Sequence, residues 1–466
     1  MNWSELRAML LNGQGSVTDN RRRLSFPELL VEAESFGNSI TAELPNENTV
    51  GIFGENSIDY LVALFGLLSC GCMPVPLNTR LTSAELQAVL RQTGARSYIR
   101  SDKLSIPEAR ICKTAPSPDT LPMTEIDQPS IVICSSGSEG KVKAAVLPVE
   151  SFLRHALAVN EHLQVTESDH WLACLPFFHV GGLTIPFRCA LASAAVTILP
   201  TADPEALNES IEANKITLIS LVAASVEKLL DFRKDKPFPD YLRAIITGGG
   251  PVPDRLLERC PLVYKTYGMT ESGSMLTCAR PGCDDAERYS AGAALPETII
   301  RVVDDDGKPC DVKREGNVLA RGPGQFAGYV NDPDKTALTL SEGWLKTDDF
   351  GYLDERGNLH ILARRKDLIL SGGENIIPAE IERALKQHPQ VRDAVVLPIQ
   401  DEQWGQAPGA VVVSADSELS PELLTAFLRE RIASYKLPRL FVFVKNLPTL
   451  PTGKIDLQAV RKLLEA

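Results

Sequence analysis

Tyr267-Gly-Met-Thr-Glu-Ser272 brings an aromatic ring, a hydroxyl and a carboxylate within five residues, directly behind a strand-like KTYG. A ring at Tyr267 can stack on a base, a hydroxyl at Thr270 can donate to a phosphate, and a carboxylate at Glu271 can hold Mg²⁺ as a hard oxygen ligand. Upstream, SSGSEGKVK (135–143) carries an apolar strand, IVIC, into a loop of small residues. Its Gly137 lets backbone approach phosphate oxygens, Ser135, Ser136 and Ser138 offer donors, and Lys143 supplies a charge for β- and γ-phosphates. A third polar turn, GGGPVP (248–253), precedes the Tyr267 segment. Taken singly, each has an ordinary turn reading; together and in this order they predict a nucleotide site.

Other segments offer complementary chemistry. PFFHVGGL (176–183) sets His179 among aromatics, which reads either as a satisfied core histidine or as a pocket residue. SLVAASVEKLL (220–230) supplies small apolar groups suited to an aryl or short alkyl wall. Downstream come an acid pair in KTDDFG (Asp348, Asp349), the basic ARRKD (363–367), SGGEN (371–375) and PTGKIDL, whose Lys454 follows a Pro-Thr-Gly turn. Their bland readings are a β-turn acid, a solvated linker charge, a helix N-cap turn and an exposed lysine.

The elements that must position these residues follow from periodicity. From Thr49 to about Tyr267 short apolar runs alternate with amphipathic segments: TVGIFG then IDYLVALFGLLSC, PSIVICS then ESFLRHALAVNEHL, AAVTILP then PEALNESIEANK, ITLISLV then ASVEKLLDF, RAIITGG then DRLLERC. That alternation predicts layered α/β structure with largely parallel sheets. Between about 298 and 362 the helical period disappears, and β-rich runs separated by Gly and Asp-Gly turns predict a β-subdomain. About a hundred residues with a new α/β pattern follow. The expected organisation is a large N-terminal domain, 1–363, of layered α/β subdomains plus the β-subdomain, and a small α+β C-terminal domain, 364–466.

A chain of 466 residues suits two or three cores. Its net charge of −12, from 60 acidic against 48 basic residues, argues against nucleic acid or anionic lipid as a broad partner, although a locally positive site still admits an anionic substrate. MNWSELRAML lacks the basic-then-apolar layout of a secretion signal, and no apolar run approaches the ~20 residues of a membrane span, so a cytoplasmic protein without integral membrane association is expected. Ten scattered cysteines form no zinc-type CxxC pairs, and Cys70 and Cys72 read as small buried residues. Oligomeric state is not readable from the sequence, and a homo-oligomer stays open.

In order and spacing, these motifs resemble the adenylate-forming superfamily of acyl-CoA ligases, luciferases and peptide-synthetase adenylation domains, from near residue 25 to the C-terminus. The resemblance implies ATP, Mg²⁺ and coenzyme A as cofactor and co-substrates, with a small carboxylic acid as substrate. It assigns Ser135, Ser136, Gly137, Ser138, Lys143, Gly248, Gly249, Gly250, Tyr267, Gly268, Met269, Thr270, Asp349 and Arg364 to ATP and AMP, with Glu271 on the metal. His179, Gly182, Leu221, Val222, Gly248 and Met269 would border the acid. Catalysis would fall to Lys454, Thr270, Glu271 and His179, with a mobile C-terminal domain turning about a hinge at Lys366 and Gly372 and Gly373 beside the pantetheine of CoA. Departures are Glu139, Val142 and Ala144, where the superfamily has Thr, Pro and Gly, and Asp348, where it has Gly. The triple glycine, the HVGGL context and the compact length look most like its o-succinylbenzoate–CoA ligase branch of menaquinone synthesis. A medium-chain or aryl acid–CoA ligase, a standalone adenylation protein that loads a carrier protein, and a non-catalytic adenylate binder are the alternatives.

Overall fold

The computed structural model describes residues 3–104, 110–113, 129–136, 142–364, 367–371, 374–401, 405–414, 419–449 and 455–465. Its centre is a nine-stranded sheet ordered Ala293–Ala294, Ser274–Cys278, Val263–Met269, Ala244–Thr247, Leu218–Leu221, His170–Ala173, Ala195–Ile198, Ser16–Thr18, Arg23–Ser25. The six strands from Val263–Met269 through Ser16–Thr18 run parallel, and antiparallel strands close both edges. Strands such as AIIT and LISL are buried at every position, which is why they read as continuous apolar runs rather than alternating ones. A second, four-stranded sheet is built from Met73–Leu77, Thr49–Phe53, Ser97–Arg100 and Ile111–Lys113. Helices Phe26–Glu43 and Ile58–Ser69 pack together, the first entered through a capping box of Ser25 and Glu28.

PSIVICS does not lead straight into a helix, as the alternation suggested. Ser130–Ser136 turns back as an antiparallel hairpin with Val142–Pro148, pairing Ser135 with Lys143, and the helix Val149–Leu163 begins only after the second strand. Gly328–Tyr329 adds a third strand, with Tyr329 opposite Ala145. Ala144, one of the departures, is fully buried in this small sheet, where its methyl packs in a core cluster with Val75, Leu77 and Val132.

The β-rich region forms a five-stranded sheet from Ile299–Val303, Gly316–Arg321, Trp344–Leu353, Leu340–Ser341 and Leu359–Arg364. The chain divides into two compact units, Met1–Arg301 with Leu319–Thr347 and Asp354–Leu359, and Val302–Val318 with Asp348–Leu353 and His360–Ala466. The smaller unit contains a second five-stranded sheet: Glu374–Ile376, Ile369–Ser371, Gly405–Ser414 and Val391–Asp401, with Leu440–Val444 parallel to Gly405–Ser414. Along Val391–Asp401, Ala394 and Val396 face a core shared with helices Pro378–Lys386 and Pro421–Arg429. Val395, between them, faces Val460 and Leu464 of the helix Leu457–Glu465. The period of two thus gives this sheet a helical cover on each side.

Candidate active site

Strand direction gathers the motif residues of the larger unit. Leu218–Leu221, Ala244–Thr247 and Val263–Met269 are parallel and in register, so Val222, Gly248 and the Tyr267 segment all emerge at their carboxyl ends. Open parallel sheets place ligands in the crevice at these ends. Gly249 has φ +77°, and a Cβ there would lie 3.8 Å from Val222 Cγ1, which puts the glycine turn beside the apolar wall. Gly248 presses on the Thr266 backbone, whereas a Cβ on Gly250 would meet nothing within 4 Å. Val222 is exposed, but Leu221 is buried in the core cluster with Leu172 and Val226, so its side chain backs the wall rather than lining it. His179 is exposed at the start of the helix Val180–Ala192 with its ring 4.6 Å from that of Phe178, which removes the core-histidine reading. A Cβ on Gly182 would clash with the carbonyls of Leu175 and Pro176, a packing reason for that glycine.

The Tyr267 segment ends in a bulge and a tight turn. Register shifts between Tyr267 and Gly268, and a Cβ on Gly268 would fall 1.7 Å from the Ser274 carbonyl, so the strand pairing itself requires glycine there. Tyr267, Met269 and Thr270 are half-buried, and Thr270–Ser272 forms one turn of 3₁₀ helix. The Ser272 hydroxyl accepts from Met269 N–H at 3.0 Å and caps that turn. Glu271 is buried, its carboxylate accepting from the Tyr329 hydroxyl and its carbonyl accepting from Phe326 N–H at 2.9 Å.

One buried charge escaped the sequence reading. Arg188, in the helix that starts after His179, is completely buried. Its Nη2 donates to Ser274 Oγ at 3.4 Å and its guanidinium lies 5.4 Å from the Trp171 ring centroid. Nε and Nη1 have no hydrogen-bond partner among the described residues, and burial lowers the guanidinium pKa to about 10. Ser274 pairs with Met269, while Trp171 donates to Ser220, next to Leu221 and Val222. The cation is thus linked through Ser274 to the strand that pairs with Met269, and through Trp171 to Ser220 of the second segment. The signal was a single charge inside an apolar helix, VGGLTIPFRCALA.

In the smaller unit Asp349 is buried and Arg364 half-exposed, joined Nε to Oδ1 at 3.1 Å. The neighbouring Asp348 has φ +59°, a left-handed conformation that glycine enters freely and that explains why the superfamily has glycine there. Aspartate is among the few residues that tolerate it. Asp348→Val is expected to lose about 1–2 kcal/mol of stability, since a β-branched residue is an outlier in this region, and Asp348→Gly almost none. The urea midpoints of the two variants check this.

Gly137, Ser138, Glu139, Lys366, Gly372, Gly373 and Lys454 lie outside the described residues, and nothing is described of the Ser136 side chain. The SGGEN segment leads into a strand, Glu374–Ile376, and the following helix is capped at Ile377 without a side-chain bond, so the N-cap reading of that turn does not hold. A cleft of about 390 Å³ lined by His162, Arg243, Arg280, Cys283, Glu287 and Arg356 shares no residue with the predicted site, and its arginines are tied to Asp169, Glu287 and Asp284.

Against known families, the AMP-binding enzyme model matches residues 7–330. The chain belongs to that family. As an AMP-binding enzyme it also carries the family's C-terminal domain, matched over residues 380–454. Curated relatives of this AMP-binding enzyme include the 2-succinylbenzoate–CoA ligases of Geobacillus kaustophilus, 33% identical over 479 residues covering 99% of this chain and 98% of the relative, and of Bacillus mycoides, 31% identical over 476 residues covering 100% and 98%. Among solved structures it resembles o-succinylbenzoate CoA synthetase from Bacillus subtilis in complex with the acyl-adenylate intermediate OSB-AMP, with a TM-score of 0.82 at 30% identity over 97% of this chain and 96% of the other. The same B. subtilis enzyme with ATP and magnesium ion gives a TM-score of 0.83 at 29% identity, over 100% and 99%. No described helix is long and apolar enough to cross a membrane.

Proposed function

We propose that this AMP-binding enzyme is a 2-succinylbenzoate–CoA ligase of menaquinone synthesis, acting through an acyl-adenylate in the cytoplasm, where ATP and CoA are at hand. One carboxylate oxygen of the acid attacks the α-phosphorus of ATP, the bond to pyrophosphate breaks, and acyl-AMP forms. The thiol of CoA then attacks the acyl carbon and expels AMP, giving the thioester.

The observation that carries the substrate is Arg188. 2-Succinylbenzoate is a dicarboxylate, so one carboxylate can be activated while the other needs a partner. A buried guanidinium bonded to Ser274 and lying near the Trp171 ring, with Nε and Nη1 unmet among the described residues, supplies that partner, because a charged hydrogen bond away from water is strong and geometrically selective. A monocarboxylic acid would leave Arg188 uncompensated.

The remaining roles follow the family assignment. Tyr267 stacks on adenine, with Gly248, Gly249, Gly250, Gly268 and Met269 along the nucleoside and the acid, and Thr270 donates to the α-phosphate. Ser135, Ser136, Gly137, Ser138 and Lys143 address the outer phosphates. Asp349 holds the ribose hydroxyls with Arg364. His179, Gly182 and Val222 border the acid. No cluster of three or more His, Cys, Asp or Glu among the described residues could hold a metal alone, so Glu271 suits Mg²⁺ arriving with the nucleotide, which takes one carboxylate, phosphate oxygens and waters. When bound, the ion offsets phosphate charge. Lys454 stabilises the transition state of the first step, and rotation about Lys366 exchanges it for Gly372 and Gly373 beside the pantetheine.

Pyrophosphate release with Mg-ATP and a panel of 2-succinylbenzoate, octanoate and benzoate, each with and without CoA, tests the proposal. CoA-dependent turnover strongest with 2-succinylbenzoate is expected. Preference for octanoate or benzoate would overturn the substrate while keeping the reaction, and silence with every acid would overturn both.

A further inference from the structure

The resemblance to the superfamily implies a metal role for Glu271, and that role depends on what holds its carboxylate. A glutamate has three side-chain torsions, and a carboxylate that must receive an ion in one geometry needs a fixed donor on one oxygen to aim the other. Glu271 sits on a single 3₁₀ turn, too short to fix its direction alone. The segment Phe326–Tyr329 grips it twice: Phe326 N–H donates to its carbonyl at 2.9 Å and the Tyr329 hydroxyl donates to its Oε1 at 2.5 Å. Both the carboxylate and the tyrosine are buried, 5% and 7% exposed.

Tyr329 is itself rigidly mounted. Its strand pairs with Val142–Pro148, its backbone N–H donates to Thr336 Oγ1 at 2.9 Å, and its ring meets the Phe326 ring edge-on with centroids 5.0 Å apart. Lys143 of the candidate phosphate loop places Nζ 5.9 Å from the same ring, as does Lys335. The ring therefore stands between the lysine expected to meet the outer phosphates and the carboxylate expected to meet their cation.

We propose that Tyr329 is a positioning residue for the nucleotide's metal: its hydroxyl fixes the Glu271 carboxylate, and its strand couples that carboxylate to the Lys143 loop. The inference rests on the reading of Glu271 as the metal ligand. Removing an outer hydrogen-bond partner of a metal ligand weakens metal affinity by about 10–100-fold, and Tyr329→Phe removes the hydroxyl alone while keeping the ring between Phe326 and the two lysines.

The test measures Mn²⁺ binding by the electron paramagnetic resonance signal of free Mn²⁺, in the presence of saturating non-hydrolysable ATP analogue, for the wild type, Tyr329→Phe, Glu271→Gln and the double variant. Affinity for the same analogue in EDTA serves as the control for an intact nucleotide site. Tyr329→Phe is expected to weaken Mn²⁺ on the order of tenfold or more, with metal-free nucleotide affinity and melting temperature close to wild type. In the Glu271→Gln background the tyrosine change should add nothing, because its effect passes through the carboxylate. If Glu271→Gln weakens Mn²⁺ but Tyr329→Phe does not, or if the two losses simply add, the positioning role is wrong. If Glu271→Gln itself leaves Mn²⁺ affinity unchanged, the metal-ligand reading fails and takes this inference with it.

Discussion

Arg188→Met is expected to cut kcat/KM for 2-succinylbenzoate by roughly 10²–10³-fold, the scale of about 2–5 kcal/mol for removing one partner of a buried, hydrogen-bonded charge pair. Most of the loss should appear in KM, because the second carboxylate lies away from the reacting carbon and is bound alike in ground and transition states. Stability should move the other way. In the free protein Nε and Nη1 are buried without partners among the described residues, a desolvation cost with no return, and an apolar side chain of similar length relieves it. Kinetics with 2-succinylbenzoate and benzoate, read beside urea unfolding of both proteins, check the two halves together. A variant that loses stability but keeps its KM would show that Arg188 is a core residue and not a substrate contact.

Lys454→Ala is expected to lower acyl-adenylate formation by on the order of 10²–10³-fold, the size of deleting one preorganised charge aimed at a developing anion. Thioester formation from supplied acyl-AMP should be nearly unaffected, because there the thiol attacks the acyl carbon and no bond to phosphorus forms or breaks. The residues flanking the PTGK segment are held to one another. Thr449 bridges Ile455, Asp456 N–H donates to the Pro448 carbonyl at 2.9 Å, and the Asp456 carboxylate accepts from the first N–H groups of the closing helix. The chain is thus pinned on both sides of Pro451–Lys454. Single-turnover measurement of each half-reaction decides the matter; equal losses in both would remove Lys454 from its role.

Much of the architecture was readable because the signals were local. Continuous apolar runs announced the buried parallel strands, a new α/β pattern announced the mixed fold of the C-terminal region, and the order of short polar motifs announced the family. What escaped was long-range or concealed by composition. The hairpin Ser130–Ser136 with Val142–Pro148 was missed because its second strand carries the lysine and valine of the phosphate loop, so a strand was read as loop. Leu221 was placed on the acyl wall by its apolar character, yet period-two alternation turns its side chain to the core and leaves Val222 at the surface. Arg188 and Tyr329 were overlooked because their meaning lies in burial and in partners 86 and 58 residues away. The positive φ of Asp348 converts an unexplained departure into a backbone requirement that no side-chain pattern reveals.

The edge of the nine-stranded sheet also sets a timetable. Val17 pairs with Val196, and the buried Leu6 and Leu10 of the first helix belong to the same core as Phe187 and Ile198. At about 5–20 residues per second of synthesis, the chain waits roughly 10–35 s between making the first strand and making its partner. Throughout that interval the helix Trp3–Asn12 can pack on Phe26–Glu43, but its contacts with the later helices Val149–Leu163 and Val180–Ala192 wait for those segments. A nascent chain stalled before residue 195 therefore leaves the strand Ser16–Thr18 without its parallel neighbour.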